Sequence, residues 1–256
     1  FYEVLPKFIN KAKDYLTQAK KNGNPFFLYL PLAAPHTPWV PKSNYNGVSN
    51  AGQYGEFVTM VDDQVGNLLE HLKNLGLEED TIIVFTSDNG PYWKQPYIDK
   101  FNHRAAGELR GMKGDIYDGG HRIPHIVKWP RKIKPGTTNN SLNTLASFYS
   151  TVADLLKLEV SSSDSYSIFS ELINDVKIEE DRSIIHHSSE GHFSIRNGNW
   201  KMIEKLGSGG FSLPRIVEST PGVMQERLYN MKNDLSERID LASKYPKIIS
   251  EMKNKL

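Results

Sequence analysis

The residues of this chain best suited to chemistry lie in three short stretches. Ser87-Asp88-Asn89-Gly90 follows an apolar run at 81–86, and in open α/β sheets ligands sit beyond the carboxyl ends of strands. Asp88 offers carboxylate oxygens and Asn89 an amide carbonyl, hard donors suited to Ca²⁺ or Mg²⁺ rather than Zn²⁺. Asp-Asn-Gly is also favourable turn chemistry. Ala34-Pro35-His36-Thr37-Pro38-Trp39 follows a second apolar run, at 26–30. An imidazole on so stiff a loop can bind an anion or transfer a proton near neutral pH, or it can simply be solvated. The third stretch runs from Leu109 to Pro124. Its glycines permit tight backbone paths, and Arg110 and Lys113 are cationic donors for an anionic group. No phosphate-loop pattern fits it.

These stretches need elements to hold them. Val4, Leu5, Phe8, Ile9, Ala12, Tyr15, Leu16 and Ala19 keep helical spacing, which predicts a helix over the first twenty residues ended by Asn22-Gly23-Asn24-Pro25. A second stripe, Tyr54, Phe57, Val58, Val61, Val65, Leu68, Leu69 and Leu72, predicts another helix, stopped by Gly76. The apolar runs at 26–30 and 81–86 read as strands buried on both faces, with a further strand at 123–129 and a third helix around 145–156. Helix, strand, helix, strand in this order predicts an α/β layered fold: part of a mixed, mainly parallel sheet sandwiched by helices. Further on, strands are expected at 183–187, 192–196 and 200–206, with Asn197-Gly198 as a hairpin turn. Pro246 opens a closing helix. The expected division is an α/β portion at 1–178 and a small C-terminal antiparallel-sheet subdomain with a helix at 179–256.

The 256 residues carry 31 Lys+Arg against 30 Asp+Glu, a formal charge of +1. That balance removes a bulk electrostatic case for nucleic acid or anionic membrane. No apolar run approaches the roughly 20 residues of a membrane span. The chain has no cysteine, which excludes disulfides, thiolate metal sites and a Cys nucleophile within it.

Pro35-His-Thr-Pro38, then Tyr54-Gly-Glu-Phe-Val-Thr-Met-Val-Asp-Asp-Gln-Val-Gly66, then Phe85-Thr-Ser-Asp-Asn-Gly90, then Leu109-Arg-Gly-Met-Lys-Gly114 through Asp118-Gly-Gly-His-Arg-Ile-Pro124 form an ordered set. With Trp129-Pro130 and the closing Leu228-Tyr-Asn-Met-Lys-Asn-Asp-Leu-Ser-Glu237, the set resembles the type I sulfatases of the alkaline-phosphatase-like superfamily. The resemblance implies a sulfuric ester hydrolase acting on a sulfated carbohydrate or aryl sulfate. It implies Asp88 and Asn89 as ligands of Ca²⁺, with Mg²⁺ as an alternative, and Lys113 and His36 as catalytic groups that grip the sulfate, His36 also transferring a proton to the leaving group. His103 and Arg104, in the loop before Lys113, are further substrate-binding candidates. A periplasmic or secreted location follows from the family.

Three family features are not found in the chain, one of them the Gly-Lys-Trp-His segment that supplies another Lys and His. The formylglycine nucleophile, made from Cys or Ser in a C/S-x-P-x-R motif, has no counterpart: Ser212-Leu-Pro-Arg215 places its arginine one position early and far too late in the chain. The N-terminal acidic pair that completes the metal site is also missing. The chain is therefore expected to be the C-terminal part of a sulfatase, inactive alone, with the N-terminal part of the same protein as its partner. A phosphate or phosphonate ester hydrolase of the same superfamily, and a non-catalytic sulfated-glycan binding module using Lys113, Arg110 and His36, are the alternatives.

Overall fold

Leu5, Ile9, Ala12 and Leu16 recur at steps of four, three and four, so a helix turns them all to one side, and all are buried. They lie in α1 (Val4–Asn22), which Gly23 ends in the left-handed conformation, its N–H donating to the Ala19 carbonyl. The computed structural model describes residues 1–162, 164–174 and 182–256. After α1 come α2 (Gly52–Asn74), β1 (Ile83–Thr86), α3 (Gln95–Phe101), α4 (Asp118–His121), β2 (His125–Lys128), α5 (Ser147–Leu155) and α6 (Phe169–Asn174). The chain continues with β3 (Ser183–His187), β4 (Phe193–Asn197), β5 (Trp200–Ile203), β6 (Arg227–Asn230) and α7 (Pro246–Lys253). No described helix is long and apolar enough to cross a membrane. The expected boundary between residues 178 and 179 lies outside the described residues.

The chain forms two compact units. In the first (residues 1–83, 96–103 and 129–131), α1 lies on α2, and Thr17 of α1 bonds His71 of α2 at 2.9 Å. Leu5 and Ile9 join Tyr45, Phe57, Met60 and Val61 in its core. Val58, expected on the buried stripe, is exposed, while Met60 is fully buried. The segment 26–30 corrects the sequence reading. It forms no strand, and no described strand pairs with it. Leu30 and, beyond it, Leu32 and Ala34 pack on the core, whereas Phe27 is 67% and Tyr29 75% exposed. One side is therefore half-buried and the other exposed, where both were expected to be buried.

The second unit comprises residues 84–95, 104–128 and 132–256. Here β1 pairs with β2, and β3-β4-β5-β6 form an antiparallel sheet in chain order. β1 and β2 are also less buried than expected, with Ile126 of β2 60% exposed. The expected hairpin forms, with Gly198 and Asn199 as its turn residues and Asn197, one position earlier than expected of a turn residue, pairing with Trp200 at the strand ends. β6 overlaps the start of the segment 228–237 and is a strand that the sequence pattern does not predict. The cross-strand row Ile195, Met202 and Leu228 turns toward α7, whose Ile249 and Met252 cover it.

The opposite face of this sheet carries Arg196, Lys201 and Tyr229 in register. It meets the segment that follows Lys113. The Lys201 ammonium, fully buried, donates to the Ile116 carbonyl at 3.1 Å and to Asp118 Oδ1 at 2.8 Å, and pairs with Glu237 Oε1 at 2.8 Å. Glu237 Oε2 accepts the Asp118 N–H at 2.7 Å. Burial alone would raise the Asp118 carboxyl; the Lys201 charge and hydrogen bond, then Arg196 and Arg122, reverse this and hold it below the usual carboxylate range. Burial raises Glu237.

Beside this cluster the rings of His121 and His186 lie 4.2 Å apart. Alternation along β3 sends His187 to the other face, against Phe193. Burial, then the Lys201 charge, lowers His121 to about 4, against contributions from Asp118 and the Asp115 carbonyl that raise it. His186 is likewise held well below 6.5 by burial, Lys201 and His121. Both imidazoles are neutral in the folded protein at pH 6, whereas in the unfolded chain they take up protons near 6.5. Stability is therefore expected to fall as pH drops from about 6.5 toward 4, because the unfolded state binds protons that the folded state does not. The His121 span amounts to about 3 kcal/mol at most. Urea midpoints at pH 7 and pH 4.5 check this: a His121→Phe variant should flatten the dependence, and an equally steep loss in that variant would remove His121 from the account.

Candidate active site

Asp88 and Asn89 lie just past the end of β1, where the strand stops and the backbone turns. Asp88 Oδ1 accepts the Asn89 N–H at 3.0 Å and the Ser87 hydroxyl at 3.4 Å. The Asn89 side-chain NH₂ donates to the Gly90 carbonyl at 2.9 Å. That bond orients the amide. Asp88 is exposed and Asn89 half-buried. The segment is a turn, with the Asp88 carboxylate and the Asn89 amide on adjacent residues.

Lys113 comes to the same turn. Its N–H donates to the Pro91 carbonyl at 2.9 Å, and the Gly90 N–H donates to the Gly120 carbonyl at 2.9 Å. The second contact requires glycine, since a Cβ on Gly90 would fall 2.0 Å from the Gly119 carbonyl oxygen. Lys113 is half-buried, and no carboxylate pairs with its ammonium among the described residues. Arg110, expected to offer a second cation, is committed elsewhere. Its guanidinium stacks on the Tyr117 ring at 3.8 Å and donates to the Glu237 carbonyl at 2.8 Å.

Residues that the sequence did not mark hold Lys113 in place. Asp115, fully buried, accepts the Met112 N–H at 2.9 Å and the Ser212 N–H at 2.9 Å, with the Ser212 hydroxyl on its second oxygen. Gly210 crosses the Gly114 backbone so closely that a Cβ there would lie 2.3 Å from the Gly114 oxygen. The one local signal was the run Gly207-Ser-Gly-Gly210, whose close approach to another segment needs glycine.

Of the remaining candidates, Arg104 lies in the second unit and is exposed. His36 and His103 lie in the first unit, both exposed. His36 Nδ1 is 2.8 Å from the Thr37 carbonyl, which makes Nδ1 the protonated nitrogen and leaves Nε2 open. His103 follows Asn102, whose backbone is left-handed at φ 45°.

Asp88 and Asn89 fit a hard cation in kind, but they supply only a small part of the six to eight oxygens that Ca²⁺ takes. Among the described residues there is no group of three or more His, Asp or Glu able to hold a metal ion.

The sequence and fold have known counterparts. The family model described as Sulfatase matches residues 6–158. An N-acetylgalactosamine-6-O-sulfatase of Bacteroides thetaiotaomicron is 30% identical over 98% of this chain and 50% of its own length. A solved structure of a protein from a glycosaminoglycan-metabolism locus of Bacteroides thetaiotaomicron superimposes with a TM-score of 0.87 at 28% identity, over 99% of this chain and 53% of that one. A structure described as Ps i-CgsB in complex with k-i-k-neocarrahexaose gives 0.80 at 25% identity, over 98% and 53%. The chain thus spans about half the length of the curated relatives it matches. With the model matching more than half of its residues and an α/β architecture shared with solved sulfatases, the chain belongs to the sulfatase family.

Proposed function

We propose that this chain forms the sulfate-gripping part of a sulfuric ester hydrolase acting on sulfated carbohydrates or aryl sulfates, completed by a segment upstream. The observation that carries this reading is the pairing of Lys113 with the Asp88–Asn89 turn. Lys113 is half-buried and pairs with no carboxylate among the described residues, and its backbone N–H is held at Pro91, two and three residues beyond Asn89 and Asp88. Such an ammonium is ready to bind an oxyanion, because no protein acid has to be displaced.

In this reading Asp88 and Asn89 contribute two oxygens to Ca²⁺, with Mg²⁺ as the alternative. Bound calcium would supply positive charge against the sulfuryl oxygens, and an upstream formylglycine the attacking oxygen. Lys113 Nζ holds a sulfuryl oxygen and stabilises the charge that gathers there as the ester S–O bond lengthens. His36, its Nδ1–H committed to the Thr37 carbonyl, is proposed to act as the doubly protonated imidazolium, giving its Nε2 proton to the leaving alkoxide and remaining as the neutral ring. His103 and Arg104 are proposed as contacts to the rest of the substrate. The outward apolar side chains Phe27 and Tyr29 in one unit and Ile126 in the other support completion of each layer by further chain. A periplasmic or secreted location is proposed with the activity, as is common for relatives of this kind.

The test is turnover of an aryl sulfate by this chain joined to an upstream segment bearing a C-x-P-x-R motif, across a calcium titration. Asp88→Ala is expected to raise the calcium needed for half-maximal rate by at least about tenfold. An unshifted calcium curve would remove Asp88 from the metal site. Faster turnover of the matching phosphate ester would favour a phosphate ester hydrolase instead.

A further inference from the structure

Next to Lys113 the surface carries an aromatic pair that no step above uses. The rings of Tyr92 and Phe211 meet edge to face, centroids 5.6 Å apart and planes at 86°. Phe211 is 40% exposed, although it belongs to a loop anchored on both sides. Its ring lies 3.1 Å from where a Cβ on Gly114 would be, and the next residue, Ser212, is tied to Asp115. Tyr92 follows Pro91, the residue that holds the Lys113 N–H. The pair is therefore rigid, and it begins where the Lys113 loop ends.

Cations flank both rings. Lys94 Nζ is 5.0 Å from the Tyr92 centroid, and the Arg215 guanidinium is 6.0 Å from the Phe211 centroid. Both are exposed, and no carboxylate pairs with either among the described residues. An exposed aromatic face favours the C–H face of a sugar ring, and an unpaired guanidinium favours a planar or tetrahedral oxyanion. An apolar partner would not need the cations, and a bare inorganic anion would not need the rings.

We propose that Tyr92, Phe211, Lys94 and Arg215 form a second saccharide subsite, in which Phe211 takes the ring of the sugar next to the one gripped at Lys113 and Lys94 and Arg215 take that second sugar's sulfate or carboxylate. The inference rests on the sulfated-glycan reading of the Lys113 site. It makes this protein selective for chains of anionic sugars over isolated sulfate esters.

Calorimetry on the chain tests it with two probes, N-acetylgalactosamine 6-sulfate and a disaccharide ending in that residue with a second anionic sugar. The disaccharide is expected to bind with about tenfold lower Kd, the size of one stacking or cation contact. Phe211→Ala and the double variant Lys94→Ala/Arg215→Ala should each remove that gain, while Phe211→Tyr should keep it; all four positions are at least partly exposed, and melting temperatures check folding. Equal binding of the two probes, or a gain that survives in both alanine variants, overturns the subsite. Lys113→Ala separates the two readings. If that variant leaves monosaccharide binding unchanged while the disaccharide gain persists, the subsite stands and the Lys113 grip falls; a lost monosaccharide affinity with no disaccharide gain does the reverse.

Discussion

Lys201→Met is expected to lower the unfolding free energy by about 3–5 kcal/mol, the loss seen when one partner of a buried ion pair is removed. This ammonium donates to the Ile116 carbonyl and to Asp118, and its charge pairs with Glu237. Methionine fills the stem but donates nothing, leaving two buried carboxyl groups side by side and a carbonyl without its donor. The groups would respond by protonating, so the variant should be least stable above pH 5 and recover part of the loss in acid. Wild-type protein behaves oppositely, since Asp118 is held below its usual range. A carboxyl with a depressed folded pKa contributes stability above about pH 4 and loses it as pH falls through the folded value. Urea denaturation at pH 7 measures the difference. Adding Glu237→Gln to Lys201→Met should return part of the stability; a single-variant loss below about 1 kcal/mol would show that the cluster is solvated in solution.

The second large effect concerns the other lysine. Lys113→Ala is expected to lower kcat/KM for an aryl sulfate by about 10²–10³-fold in a protein supplied with its nucleophile, the range found when one preorganised donor to a developing oxyanion is removed. Lys113, unlike Lys201, pairs with no carboxylate among the described residues, so its charge is available to a ligand, and its removal strands no described buried acid. The melting temperature should therefore change little. Lys113→Arg keeps the charge but changes the reach, and is expected to restore part of the rate. Activity within about threefold of wild type for Lys113→Ala would remove the residue from the reaction.

Asp115 links these two lysines. It fastens the Ser212 loop over the Lys113 turn, while two and three residues further on Tyr117 and Asp118 reach the C-terminal sheet. The small antiparallel sheet is thus part of what positions the site. That was hidden in the sequence: Asp115 and Ser212 stand 97 positions apart, and neither residue type at its own place distinguishes a clamp from a solvated loop.

What the sequence by itself determined is local. Gly23 ends α1, Pro246 opens α7, and Gly198 turns a hairpin, because each choice is set by backbone conformation within a few residues. The Asp-Asn turn and the glycine-rich path around Lys113 were legible for the same reason, and their order along the chain sufficed to show the family. Tertiary structure alone decided how the charges are used. Arg110 and Lys113 look alike in sequence, yet one is spent on a carbonyl and an aromatic ring while the other is left open. The apolar run at 26–30 has strand composition but no described ladder partner, and Lys201 lies buried among two acids. Periodicity reports which side of an element is apolar; which distant segment arrives to satisfy a donor depends on packing, and packing joins residues that the sequence keeps far apart.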